Sequence, residues 1–182
     1  MEIKTGTILK VLNILSWVLF IGLCIEAGSV LFNALYVSFY NPEGARYLFG
    51  NVDVSSLLAF DKGYYYVLLL LIFIASVFKA LLFYFIVKVF TDKQLDFSQP
   101  FNKGFGKFLV QITYISFGIG LFSYSAAGLI SWLSGSGISL LPVEAFRIGG
   151  ADVWLFMGVV LWVIAIIFKK GIEIQSENEL TV

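Results

Sequence analysis

The segment from Tyr64 to Phe90, YYYVLLLLIFIASVFKALLFYFIVKVF, is an apolar run with Lys79 set inside it and Lys88 near its end. At a helical rise of ~1.5 Å per residue it reaches roughly 40 Å, beyond the ~30 Å of bilayer hydrocarbon. A run this apolar offers no polar face to water, so it predicts a membrane-spanning helix and a chain built around membrane helices.

The rest of the chain carries the same signal. Hydrophobic residues make up 59% of the 182 positions, charged residues 13%, and the mean hydropathy is +0.92. A soluble domain holds about twice that share of charge. Four apolar runs, at residues 11–40, 64–90, 108–133 and 151–168, predict an all-α integral membrane protein. The expected architecture is one domain, a four-transmembrane-helix bundle with two short extracytoplasmic loops and a tail over residues 169–182. The basic start could mimic a secretory signal, but the first run continues to Phe39 with no small-x-small site after its core. Ile21 to Cys24 faintly resembles a lipoprotein cleavage site, except that Leu23 stands where a small residue is needed. Cys24 is therefore read as a small buried apolar residue.

Between the runs, Asn41 and Pro42 end the first helix, because proline disfavours the helical conformation at the residue before it. In the first loop, Asn51 to Phe60 alternates and then turns apolar, a pattern open to a short strand or an interfacial helix. Ile138 to Leu141 in the second loop is a candidate strand that would pair with it. Pro100 and two glycines break the connection 91–107. Ser116, Gly118, Gly120, Ser123, Ser125, Ala126, Ala127 and Gly128 enrich the third span in small residues, which let membrane helices approach closely.

Orientation follows from basic residues near the span ends. One side holds eight, Lys4, Lys10, Lys88, Lys93, Lys103, Lys107, Lys169 and Lys170; the other holds three, Arg46, Lys62 and Arg147. Both termini are expected in the cytoplasm.

The chain offers little reaction chemistry. It has no histidine and one cysteine, which removes Ser-His triads, thiol pairs and the usual zinc sites. It has no phosphate-binding glycine loop with its lysine, no GxSxG and no HExxH. Asp92 and Asp96 stand at i, i+4 in a basic connection where solvated charge is the default reading. A non-enzyme without cofactor or metal is expected, and zero net charge gives no reason to expect direct nucleic-acid binding.

Two ionisable residues lie within the spans, Glu26 in the first and Lys79 in the second. Each costs about 3 kcal/mol or more to insert at a helix centre, so they are candidates for a functional pair. Gly22, Glu26, Ser29 and Asn33 form a small and polar stripe expected to face into the bundle. With Trp17 in the inner aromatic belt, Glu26 is ~14 Å deep, and Lys79 is ~14 Å from Lys88, so the two share a level. A Glu26–Lys79 contact follows, serving packing alone in the simpler reading and an ion or substrate path in the other.

DFSQPFNKGFGKFLVQI before the third span and the tail FKKGIEIQSENELTV resemble a bacterial family of small four-helix membrane proteins, domain of unknown function 2975. The family's Pro-Phe turn is matched by Pro100 and Phe101, and its closing motif by Gly171, Glu173, Gln175, Glu177, Asn178, Leu180, Thr181 and Val182, with Ile174 in place of leucine. The resemblance implies four spans and assigns no reaction. Because such genes often neighbour a small helix-turn-helix regulator, it also implies a cytoplasmic regulator as partner, with those closing residues as the contact. The leading expectation is a regulatory, sensory or interaction protein of the bacterial inner membrane that works with a soluble partner. The alternative is a small transporter or an immunity-type protein.

Overall fold

The computed structural model describes residues 5–91 and 102–179. Lys4, the part of the basic connection with Asp92, Lys93, Asp96 and the Pro100–Phe101 turn, and the closing Leu180, Thr181 and Val182 lie outside the described residues. Five α-helices follow in order: α1 Thr5–Phe39, α2 Ser55–Phe60, α3 Lys62–Thr91, α4 Lys103–Gly135 and α5 Ala151–Glu179. All but α2 are long and apolar enough to cross a membrane.

Local chemistry sets their ends. The Asn41 side chain accepts the Glu43 N–H at 2.9 Å, and Pro42 opens a 3-10 turn, Pro42–Tyr47, that turns the chain back over α1. Asn102 caps α4 by accepting the Phe105 N–H at 2.8 Å. At the far end of α4, Gly137 takes φ +88°, and the Ile138 N–H reaches back to Leu133 O at 3.2 Å, a left-handed exit that favours glycine. The fourth helix does not stop at Phe168, where Lys169 and Lys170 were expected to end it. α5 runs on to Glu179, because only Gly171 interrupts a stretch of good helix formers, at a cost of ~1 kcal/mol.

Of the two forms open to the first loop the structure takes the helix, and the candidate strand at Ile138–Leu141 does not form. Leu48 and Val52 form one isolated antiparallel bridge, and no strand occurs among the described residues. Phe49 at φ 53° and Gly50 at φ 90° fold the first loop back on itself, leaving no extended edge for Ile138–Leu141 to join. The apolar end of that loop becomes α2 instead. Asp53 precedes it, and hydrogen bonds from the Ser55 side chain and N–H hold the Asp53 carboxyl below the usual carboxylate range. The second loop holds a 3-10 turn, Val143–Phe146, and is tied to α2 where Ser56 Oγ donates to Ser139 O at 2.9 Å.

The helices pack in series, α1 on α3, α3 on α4 and α4 on α5. The apolar windows of α3 and α4 are 39% buried and those of α1 and α5 only 6%, so the flanking helices present most of their surface outward, as lipid-facing helices do. Cys24 lies on that outward surface and is exposed, contrary to the buried position expected for it, because a thiol is apolar enough to face lipid.

The largest apolar core sits at the loop end. Leu48, Val52, Val54, Leu57, Phe146 and Ile148 from the loops are fully buried with Tyr65, Ile72 and Leu133 from the spans. The loops therefore form a packed cap over the bundle. Toward the other end the cores are smaller, around Ile119 and around Leu109 and Ala165.

Candidate functional site

The two charged residues of the first spans meet. Lys79 Nζ is 3.8 Å from Glu26 Oε1, and each side chain is 12% exposed. α1 and α3 run antiparallel, so a glutamate and a lysine at equal depth come onto one level. Ser76, one helical step from Lys79, points its Oγ at the same carboxylate oxygen at 3.4 Å.

A third charge joins them that inspection of the spans alone misses. Arg147, from the second loop, places Nη1 3.4 Å from Glu26 Oε2, and its backbone carbonyl accepts a hydrogen bond from Lys79 Nζ. Its φ of 59° is left-handed, an uncommon conformation for arginine; its N–H bonds Glu144 O, and its guanidinium lies 4.8 Å above the Phe49 ring. The sequence marks it only as one of three basic residues on the loop side; Phe146 and Ile148 on either side are fully buried, while the Arg147 side chain is 51% exposed.

The cluster therefore sets one carboxylate between two cations, with the loop carbonyl taking a lysine proton as well. Charges removed from water need both opposite charge and hydrogen bonds, and this arrangement supplies both. It fastens the cap to α1 and α3.

The bundle covers the polar stripe of α1 only in part. Gly22, Glu26, Ser29 and Asn33 line a groove of about 440 Å³ with Arg147 and Phe49, while Glu26 also reaches α3 at Lys79 and Ser76. Asn33 is the most buried of the four: it is 8% exposed, donates to Gly44 O at 2.8 Å and accepts from Tyr65 Oη at 3.3 Å. That stitches the first loop to α1 and α3 beside the charged cluster.

The closing motif is helical to Glu179. Gly171, Glu173, Gln175, Glu177 and Asn178 follow Lys169 and Lys170 on α5. Glu173 is paired with Lys170 at 3.1 Å, Ile172 packs on Gly106 of α4, and Ile174 is 51% exposed. The motif and the charged cluster are thus at opposite ends of α5, and the structure does not bring them together. Among the described residues no cluster of three or more potential metal ligands occurs.

Comparison with known proteins gives a family and nothing finer. No curated protein and no solved structure matches the chain. The family model for a protein of unknown function (DUF2975) matches residues 53–182, a stretch that takes in Lys79, Arg147 and the closing motif and leaves α1 with Glu26 outside it. The chain is a multi-pass membrane protein belonging to the DUF2975 family.

Proposed function

We propose that this protein is a sensory or regulatory component of the bacterial cytoplasmic membrane, with both termini in the cytoplasm, working with a soluble helix-turn-helix regulator. The observation that carries the reading is the continuity of α5. It begins at Ala151, four residues after Arg147, and runs unbroken to Glu179 in the closing motif. A change at the outer cap that draws Arg147 from Glu26 has a rigid element through which to move the inner end. The exposed Ile174 beside Glu173 and Glu177 gives that end an apolar and acidic surface suited to a protein contact.

The test is affinity capture of the full-length protein from its native membranes, beside a truncation ending at Gly171. The expected result is a stoichiometric soluble regulator with the intact chain and its loss with the truncated one, which remains inserted. Unchanged recovery by the truncated chain would overturn the role given to the motif. Solute flux into reconstituted vesicles, with no soluble protein recovered, would replace the reading with transport.

A further inference from the structure

Between α4 and α5, at the end opposite the cap, lies a second and larger groove of about 690 Å³ that the charged cluster does not involve. Its mouth carries Lys103, Lys107 and Lys169, all exposed. Its walls are apolar and uncovered: Val110 and Tyr114 on α4 are 43% and 72% exposed, and Trp162 and Ile166 on α5 are 56% and 53% exposed. We propose that this groove binds one anionic phospholipid, its phosphate among the three lysines and one acyl chain between the walls.

The dimensions support that occupant. Tyr114 is seven residues from Lys107, and Trp162 is seven residues from Lys169. Because the helices are antiparallel, both aromatic residues stand ~10 Å from the lysine level and bound a slot of equal depth on its two sides. A slot that starts at a basic rim and continues into the hydrocarbon layer suits an amphiphile with a negative head; a soluble peptide cannot follow its walls. Gln111, one turn deeper than Lys107, also lines the groove and places an amide at the level of the glycerol esters.

Charge decides the headgroup. The carboxylate at the rim, Glu173, is paired with Lys170 at 3.1 Å, so the three lysines of the mouth leave the rim net positive. Basic pockets between membrane helices on the cytoplasmic side recognise anionic heads in this way, each lysine adding to the attraction. The apolar walls distinguish the site from one for free phosphate, which has no use for them.

The experiment uses the full-length protein in a neutral detergent, with native mass spectrometry and thermal unfolding as readouts. Phosphatidylglycerol, phosphatidylcholine and soluble glycerol phosphate are added in turn. Phosphatidylglycerol is expected to remain bound and to raise the unfolding temperature, with the other two far weaker. Retention should fall roughly 100-fold in K103Q/K107Q/K169Q. It should fall also in V110W and, from the facing helix, in I166W, each of which fills the slot without changing charge. K10Q/K88Q, which neutralises two lysines outside the groove, should bind as the parent does. Equal retention of phosphatidylcholine, or equal stabilisation by glycerol phosphate, would overturn the proposal. So would phosphatidylglycerol retention in both slot-filling variants, or a loss in K10Q/K88Q as large as in the triple variant.

Discussion

Arg147 Nη1 lies 3.4 Å from Glu26 Oε2, so the loop that leads into the last span is fastened to the first span across 121 positions of sequence. Lys79 approaches the other oxygen of the same carboxylate. The two cations are not equivalent, since the Lys79 side chain is 12% exposed and that of Arg147 51%. An exposed ion pair is worth ~0–1 kcal/mol, whereas removing one partner of a buried pair strands a charge.

Lys79→Met should therefore destabilise the detergent-solubilised protein by about 1–3 kcal/mol, less than a fully buried pair would lose because Arg147 remains beside Glu26. Arg147→Gln should cost less, within about 1 kcal/mol. The double variant Glu26→Gln with Lys79→Met should lose less than the two single losses added together, because it removes both of the less exposed charges and leaves only Arg147, whose side chain is 51% exposed. Thermal unfolding of the four proteins of that cycle reads the coupling; strictly additive losses would show that the pair contributes nothing as a pair.

Topology gives the second prediction. Ser55 and Ser136 lie at the cap end, and Ser176 lies on α5 beyond Lys169 and Lys170. Cys24 is exposed and must first be replaced by alanine, since it would react on its own account. A membrane-impermeant thiol reagent added to intact cells should then label cysteine at Ser55 or Ser136 and leave cysteine at Ser176 unlabelled until the cells are opened. The reverse pattern would invert the orientation drawn from the basic residues.

Ser123 gives the third. It is fully buried on α4, and among the described residues its Oγ has no hydrogen-bond partner. A buried hydroxyl left unpaired carries a desolvation penalty of about 1–3 kcal/mol, so Ser123→Ala should hold or raise the unfolding temperature. A clear fall would mean that the hydroxyl is satisfied in the membrane, by water or by a partner.

The spans and the Glu26–Lys79 level were legible in the sequence because both rest on simple lengths: the width of the hydrocarbon layer and the helical rise. The cap was not. Asn51–Phe60 has a pattern that fits a strand or a helix equally, and the outcome depends on the turn at Phe49 and Gly50, which removes any strand partner. Arg147 escaped for a related reason, since its contact with Glu26 is made by the folding of a loop and not by depth along a span. The polar stripe of α1 was visible as a stripe, but a helix pattern does not say whether its neighbour covers it; here part of it borders an open groove. The continuation of α5 past Lys170 was hidden by reading the two lysines as the end of the helix, when a charged pair does not by itself stop one.

The small residues of α4 were read as packing surface, and two of its glycines test that reading against each other. A Cβ at Gly120 would come 2.7 Å from the side chain of Leu155 and 3.0 Å from its backbone nitrogen, so α5 can approach there only because the atom is missing. At Gly128, on the same helix, nothing lies within 4 Å of the same atom. Alanine is the better helix former by about 1 kcal/mol at either position, so propensity alone predicts the same gain twice. Packing predicts opposite signs. Gly120→Ala should lower stability by about 1–3 kcal/mol, since a backbone nitrogen cannot swing aside as a flexible side chain can. Gly128→Ala should be neutral or slightly stabilising. Thermal unfolding in one detergent, with helicity checked by circular dichroism, compares the two directly. Equal shifts of the same sign would mean that α4 and α5 are not in close contact at Gly120, and the series packing of the spans would have to be redrawn at that point.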